Sequence, residues 1–264
     1  MAKGKENLSQ FFPPLETFLI IFFREFPAAA LVCNFNKPTP TKPSLLRFDE
    51  VVTFFHELGH AVHELCSTAK YNRFSGTNVE RDFVEAPSQM LENWCYESDV
   101  LKEISGHYKD LTISLPEELR QRLVDAKNVD EAILNRRQLH FGMYDMLVHT
   151  VEGQVNTMEL WHKCMREVAL FEETEKTNAA ASFGHIVGGY SAGYYGYLWS
   201  KVYSCDMFEK FKSEGLLNRE IGMKYRKYIL ATGGTRDSMD ALVDFLGRQP
   251  SSDAFLKDIG VFGN

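Results

Sequence analysis

The sequence predicts a mainly α-helical fold. Apolar residues recur at spacings of three and four along most of the chain, and Gly, Asn, Pro or Ser separate the periodic segments. The 264 residues are 44% hydrophobic and 25% charged, which is typical of a globular chain long enough to bury a core. A net charge of −7, from 29 basic and 36 acidic residues, and the absence of a long Lys/Arg block exclude a general nucleic-acid binder.

The start of the chain is the part with the least pattern. Residues 1–27 are rich in Phe, fit no element that we can assign, and are consistent with a gene-model artefact. Their apolar run, 18–23, is far shorter than the ~20 residues that cross a bilayer, so we expect no membrane association. A short strand is predicted over 30–35, followed by a proline-rich connector over 36–43.

Helices are predicted over most of the remaining chain. The first runs to about Ser67, with Asp49 placed to cap its start. Residues 71–79 follow it and could hold a turn and a short strand, so the expected fold class is mainly α with a few short strands. Further helices are predicted over 82–104, 116–127, 130–149, 156–172, 194–212, 219–231 and 237–247.

The five cysteines are widely spread, odd in number and include no CxxC pair. This usage argues against both a disulfide framework and a zinc site built from thiolates. It favours a reducing compartment, and we expect a cytoplasmic protein.

The first helix carries the HExxH pattern as His56, Glu57 and His60. Because four residues make just over one helical turn, both imidazoles emerge on one face, where they can bind one metal ion. Glu57 lies at the edge of that face and can take a proton from water. Zinc suits such ligands and lowers the pKa of a bound water to about 7. The pattern alone is equally compatible with an amphipathic helix that carries surface histidines, and the metzincin extension is excluded, since His63 and Cys66 stand at its glycine and histidine positions.

A catalytic zinc with two histidines needs a third protein ligand, commonly a Glu from a second helix. Glu85 stands among the apolar residues Phe83, Val84 and Met90, where a carboxylate is costly unless it is paired or binds a metal. Glu85 is therefore the preferred ligand. Glu92 follows two turns later on the same face and could orient a ligand histidine, although a solvated surface Glu fits its position equally well.

A second segment combines glycines with groups that donate hydrogen bonds. It lacks the order of either nucleotide-binding glycine pattern, so a nucleotide site is disfavoured. The glycines let the backbone approach a ligand closely, and the Tyr and His side chains can stabilise an oxyanion or bind a peptide carbonyl. For Tyr194 aromatic packing is an open alternative, and Tyr195 is expected in the core or in a structural role. The candidate residues are His185, Gly188, Gly189, Tyr190, Tyr194 and Tyr197.

The remaining histidines receive no role in the chemistry. His63 could touch the metal face, but packing behind the ligands suits it better because the two histidines and Glu85 leave only a water position. The other four are expected to be structural: His107, His140, His149 and His162.

Long ordered segments of this chain resemble the thimet oligopeptidase, neurolysin and saccharolysin family of zinc peptidases. The resemblance covers about 28–264 and rests on 56–60, 74–77, 82–92 and 188–197. It implies a zincin-like helical catalytic domain that hydrolyses short peptides with one zinc ion. It implies that His56, His60 and Glu85 bind zinc and that Glu57 is the general base. By the same resemblance, His185, Tyr190 and Tyr197 act in catalysis, while Tyr194, Gly188 and Gly189 contact substrate.

Members of that family are much longer, with an N-terminal helical half that forms the opposite wall of a channel. We therefore expect 28–264 to be the zinc-bearing catalytic part alone. Two functions stand open: a zinc metalloendopeptidase acting on short peptides, or a catalytically weak or silent remnant that binds metal or peptide. Loss of the opposite wall would leave an exposed apolar face near 49–67 and 82–104 and favour self-association.

Overall fold

The computed structural model describes residues 26–172 and 177–261, and within these ranges it contains ten α-helices joined by short 3-10 and π turns. Most of the segment 1–27, including its apolar run, lies outside the described residues. The mainly α-helical class is confirmed. The helices are α1 (Phe48–Cys66), α2 (Ala86–Glu92), α3 (Ser98–Ile104), α4 (Glu117–Asp125), α5 (Glu131–Thr150), α6 (Thr157–Cys164), α7 (Gly196–Glu214), α8 (Arg219–Tyr225), α9 (Ser238–Leu246) and α10 (Asp253–Asp258).

The short strands predicted from the sequence do not form in the described part of the chain. Residues 30–35 have no regular structure, and 71–79 contain a 3-10 turn over Asn72–Phe74. The described residues contain only two isolated β-bridges, Thr39 with Lys42 and His107 with Asp110. Both strand predictions are wrong because β propensity does not suffice without a partner strand to take up the backbone hydrogen bonds.

The start of α1 differs from the predicted cap. Arg47, not Asp49, is the N-cap residue, and its backbone N–H donates to Oε2 of Glu50 at 2.8 Å. Asp49 lies inside the first turn, where its negative charge interacts favourably with the positive end of the helix dipole. The prediction of an Asp49 cap is therefore wrong by two residues.

The single helix predicted over 82–104 is also wrong. Residues 81–85 form turns, and α2 then begins with Pro87 in its first turn. A 3-10 turn over Asn93–Tyr96 follows α2 directly. The chain is extended at Glu97 (φ −96°, ψ 120°) before α3 begins. Apolar periodicity persists across such breaks, so it predicts the buried face more reliably than the continuity of a helix.

The other predicted helices are present with shifted ends. The segment 156–172 forms α6 and a π turn that stops at Leu170, which has a left-handed backbone (φ 62°). Asp237 caps α9 by accepting two backbone N–H groups, and Gly247 ends it with φ 78°. The short helix α10 was not predicted, since six residues carry too little periodic signal.

The core consists of two clusters that α7 connects. The first gathers side chains of α2, α7, α8 and α9, with Met90, Met207 and Leu242 fully buried. The second is aromatic and contains Tyr144 and Trp161 of α5 and α6. The first turn of α7 packs against the second cluster, while its middle lies in the first. This helix therefore ties the tyrosine segment to the main core.

The contact between α1 and α2 depends on a glycine inside the HExxH pattern. A Cβ atom placed on Gly59 would lie 2.5 Å from Cα of Ser88, closer than real contacts allow. The absent side chain lets the two helices approach. This approach carries Glu85, at the start of α2, to the histidine face of α1.

Exposed apolar side chains occur in both ranges where the sequence predicted them, although Phe83 and Met90 are buried: Phe54, Leu65 and Ile104 are exposed. A groove of about 480 Å³ also lies between α5, α7 and α10. It is lined mainly by apolar side chains, with Met143, Leu147 and Trp199 among the exposed ones. No helix in the described ranges is long and apolar enough to cross a membrane.

Candidate functional site

Three potential metal ligands meet between α1 and the start of α2. Nε2 of His56 lies 3.2 Å, and Nε2 of His60 3.1 Å, from the same carboxylate oxygen, Oε2 of Glu85. All three ligand atoms lie within 4.8 Å of one another. The helical spacing of the two histidines and the close packing at Gly59 together produce this convergence.

Glu85 is buried and fully engaged by neighbours. The hydroxyl of Tyr190 donates to Oε1 at 2.6 Å, and the hydroxyl of Ser88 donates to Oε2 at 3.1 Å. Burial alone would raise the pKa of Glu85, but the hydrogen bonds and charges of His56 and His60 outweigh it and hold this pKa well below its usual range. The carboxylate is therefore ionised, as a metal ligand must be.

His56 is held from its far side by Glu92. Nδ1 of His56 lies 2.6 Å from Oε1 of Glu92, while Nζ of Lys201 lies 3.9 Å from the other oxygen of Glu92. Burial would lower the pKa of His56, but its hydrogen bonds to Glu85 and Glu92 raise it to about 10. Glu92 thus fixes the ring so that Nε2 faces the other ligands.

Glu57 follows the ligand residue His56 in α1. Its Oε2 atom is buried and has no hydrogen-bond partner among the described residues. Burial, and then the negative charge of Glu57, raise the pKa of the Cys33 thiol. Glu57 therefore has one carboxylate oxygen uncommitted to the protein.

The glycine-rich segment brings His185 and three tyrosines together. The ring centroid of His185 lies 6.0 Å from that of Tyr190, 5.1 Å from Tyr194 and 5.8 Å from Tyr197, and the rings of Tyr190 and Tyr197 stack at 4.9 Å. Gly189 takes a left-handed φ of 98°, which a residue with a side chain rarely adopts.

The tyrosine hydroxyls of this segment stay protonated at neutral pH. Burial and the Glu85 charge raise the pKa of Tyr190 to about 12 and move that of Tyr197 further upward. Burial also raises the pKa of Tyr194 to about 12, and its hydroxyl donates to Oε1 of Gln138 at 3.0 Å. Burial lowers the pKa of His185, partly opposed by the charge of Glu85. The segment therefore presents neutral hydrogen-bond groups.

Two neighbours of the tyrosines differ from what the sequence indicated: Arg81 was expected in a surface or structural ion pair, and Gln89 received no role. The guanidinium of Arg81 lies 4.7 Å from the ring centre of Tyr190, a cation–π contact. The side-chain amide of Gln89 donates to the backbone carbonyl of Tyr197 at 3.0 Å and so links α2 to α7. The helical spacing of Gln89 from Glu85 could have indicated a shared face.

The residues given no chemical role have mixed outcomes. His63 is completely buried behind the ligands, as a packing residue would be. Tyr195, expected in the core or in a structural role, is 40% exposed, so it is not a core residue, and its hydroxyl donates to Asp82 at 2.8 Å. His149 pairs with the buried Asp145 at 3.0 Å, a contact that no sequence pattern suggested.

The donor set fits zinc. Zinc accepts imidazole nitrogen and carboxylate oxygen, and three protein ligands leave one position for water or substrate. Within the described ranges, His56, His60 and Glu85 form the one group of three or more His, Cys, Asp or Glu side chains with this proximity.

The chain is similar in sequence to known oligopeptidases. The chain is 47% identical over 241 residues to the thimet-like oligopeptidase of Dictyostelium discoideum, covering 90% of this chain and 36% of that protein. It is 46% identical over 243 residues to saccharolysin of Saccharomyces cerevisiae, covering 90% of this chain and 34% of that protein. It therefore spans about a third of the length of these relatives.

The fold resembles that of solved peptidases. A carboxypeptidase of Pyrococcus furiosus superposes with a TM-score of 0.64 at 16% identity, covering 81% of this chain and 48% of the other. The model of "Peptidase family M3" matches residues 16–261. Because that match includes every candidate ligand and the whole tyrosine segment, this chain belongs to peptidase family M3.

Proposed function

We propose that residues 28–264 are the catalytic part of a zinc-dependent metalloendopeptidase that hydrolyses short peptides. The observation that carries this proposal is the convergence of His56, His60 and Glu85 within 4.8 Å. Glu57, the next residue after His56 on α1, adds a buried carboxylate oxygen that has no partner among the described residues. Membership of a peptidase family supports the reaction class, and the relatives named oligopeptidases support short peptides as substrates.

His56, His60 and Glu85 would hold one zinc ion. When bound, zinc supplies Lewis-acid chemistry: it lowers the pKa of water and polarises a carbonyl. Glu92 and Tyr190 keep two of the ligands in place through hydrogen bonds of 2.6 Å each. The chain thus supplies the ligands and their supports from its own helices.

Glu57 accepts the proton of the attacking water and passes it to the leaving amine. Its place on α1, one residue from a ligand, keeps the carboxylate near the reacting atoms without making it a ligand. Tyr197 and His185 donate hydrogen bonds to the negative charge that develops on the carbonyl oxygen, a type of stabilisation that contributes strongly in acyl transfer. Tyr190 can join them only by releasing Glu85, because its hydroxyl has a single proton to donate.

The tyrosine segment also orients the peptide. Gly188 and Gly189 are exposed next to His185. Tyr194 is buried in the second core cluster and packs against the ring of His185. All five cysteines are free thiols, which supports a cytoplasmic location.

The test compares Glu57→Gln with Glu50→Gln, a matched change on the first turn of the same helix. Zinc per chain is measured by mass spectrometry, and cleavage is followed with quenched fluorescent peptides of 6 to 15 residues. We expect about one zinc per chain in the unaltered chain and in both variants. Hydrolysis should fall by a factor of ~100 to 10,000 in Glu57→Gln alone.

Two outcomes would contradict the proposal. Undiminished turnover in Glu57→Gln would remove that residue from its role. A folded chain that binds zinc but cleaves none of the peptides would favour the alternative of a catalytically silent protein that binds metal or peptide.

A further inference from the structure

Helix α5 turns one row of residues towards the segment that carries the site tyrosines. Gln138, Gly142, Asp145 and His149 follow each other at intervals of four, three and four residues, which places them on one helical face. Asp145 in this row is completely buried. A buried carboxylate is costly unless hydrogen bonds compensate its charge.

The tyrosine segment supplies that compensation. Oδ1 of Asp145 accepts the backbone N–H of Ala192 at 2.9 Å, and Oδ2 accepts the backbone N–H of Tyr194 at 2.9 Å. Nδ1 of His149 lies 3.0 Å from Oδ1. Both carboxylate oxygens are therefore used, and the two bonds to the backbone hold the segment at two points.

The conformation held in this way is not one that the segment favours by itself. Ala192 has a φ of 52°, a left-handed backbone that residues with a Cβ atom rarely adopt. Strained backbone of this kind persists where the surrounding structure restrains it. Asp145 provides the restraint, because it binds the N–H groups of Ala192 and of the residue two positions later.

The same segment reaches the candidate metal ligands two residues earlier. Tyr190 donates to Oε1 of Glu85 at 2.6 Å, while the ring of Tyr194 lies 5.1 Å from that of His185. A shift of the backbone at Ala192 would therefore move the Tyr190 hydroxyl away from Glu85.

We propose that Asp145 is a positioning residue for the peptidase site. It fixes the backbone at Ala192 and Tyr194 and thereby sets where Tyr190 and His185 stand relative to Glu85. This inference rests on the proposed function and adds to it a residue that acts through the tyrosine segment rather than on the substrate.

The kinetic test compares Asp145→Asn with Asp206→Asn in the full chain. Asp206 is a matched control: it is also buried, accepts a backbone N–H from Ser251 at 2.9 Å and pairs with Arg248. It lies on α7 nine residues beyond Tyr197, and these bonds join it to the chain before α10 rather than to the tyrosine segment. With both proteins assayed at saturating zinc, we expect Asp145→Asn to lower kcat by ~100-fold, with a smaller change in KM.

We expect Asp206→Asn to keep its kcat even if its melting temperature falls. Equal losses of kcat in both variants would overturn the proposal, since they would reflect a general loss of stability.

A second measurement needs no activity. Amide hydrogen exchange at Ala192 and Tyr194 should be slow in the unaltered chain and at least ~10-fold faster in Asp145→Asn, while the amides of α5 keep their protection. A chain without peptidase activity would contradict the proposed function and leave this readout intact. If Asp145→Asn does not fold, the test rests on amide exchange in the unaltered chain. Fast exchange at Ala192 and Tyr194 in that chain would overturn the proposal.

Discussion

Tyr190 donates a hydrogen bond of 2.6 Å to Oε1 of Glu85, the carboxylate oxygen that turns away from the two histidines. The two oxygens of one carboxylate thus serve different neighbours. Tyr190 holds Glu85 in the orientation that presents its other oxygen to His56 and His60.

Tyr190→Phe should therefore weaken zinc binding, whereas Tyr197→Phe should not. Loss of the hydroxyl frees Glu85 to rotate, and such supporting contacts are typically worth 10- to 100-fold, so we expect ~10- to 100-fold lower zinc affinity in competition with a chelator. In Tyr197→Phe, kcat should fall by ~100- to 1000-fold at full zinc content. Equal zinc affinity in both variants would contradict this division.

The contact between Glu92 and His56 predicts an intermediate loss of metal. Replacing Glu85 with Ala removes a ligand and should abolish stoichiometric zinc, as replacement of His56 or His60 should. Glu92→Ala removes only the partner of Nδ1 and should lower affinity by ~10- to 100-fold. Metal content during dialysis against graded chelator concentrations distinguishes the two effects. A complete loss of zinc in Glu92→Ala would mean that Glu92 is itself a ligand.

Gly59→Ala should separate α1 from α2. Its new methyl group would meet Cα of Ser88 at 2.5 Å, and a backbone atom cannot yield without moving its helix. We expect a loss of ~1 to 3 kcal/mol in urea unfolding, together with weaker zinc binding. Gly222→Ala is the control, because a Cβ there meets nothing within 4 Å and alanine favours a helix by ~1 kcal/mol. Unchanged zinc affinity in Gly59→Ala would show that the approach does not position Glu85.

His63 should make the fold sensitive to acid. Burial, with the nearby charge of His60, lowers the pKa of His63 to about 3 in the folded chain, against about 6.5 when unfolded. The folded state thus favours neutral His63. Stability from this residue is complete above pH 6.5 and is lost as the pH falls towards 3, by a few kcal/mol.

Urea unfolding between pH 7 and 4, with chelator present, tests this dependence. His63→Leu should lose less stability over that range than the unaltered chain. His107→Leu, which replaces an exposed histidine, should follow the unaltered chain. Parallel curves for all three proteins would rule out His63 as the source.

The sequence predicted the position of the metal ligands better than the shape of the surrounding chain. Glu85 could be selected because a carboxylate among Phe83, Val84 and Met90 requires compensation, and the structure places it at the histidines. Spacing on a helix is a local property, and it remained valid for His56 and His60 even though the N-cap of α1 was misplaced.

What could not be predicted depends on contacts between distant segments. Residues 30–35 have strand propensity, but no local pattern shows whether a partner strand is available. The bonds from Ala192 and Tyr194 to Asp145 join residues 47 and 49 positions apart, and the left-handed backbone of Ala192 has no signature in an alanine. Long-range hydrogen bonds of this type become visible only in the folded chain.

The close approach of α2 at Gly59 adds a requirement to the HExxH pattern in this chain. The pattern treats its two inner positions as interchangeable, yet one of them faces the backbone of another helix at a distance that excludes any side chain. If only the two histidines and Glu57 were copied into another helix, a side chain at the position of Gly59 would keep a second helix too far away to supply the third ligand. To transfer this site to another protein, both α1 and α2 would have to be transferred together. Gly59 would have to be kept as well, because it permits the approach of α2 that places Glu85.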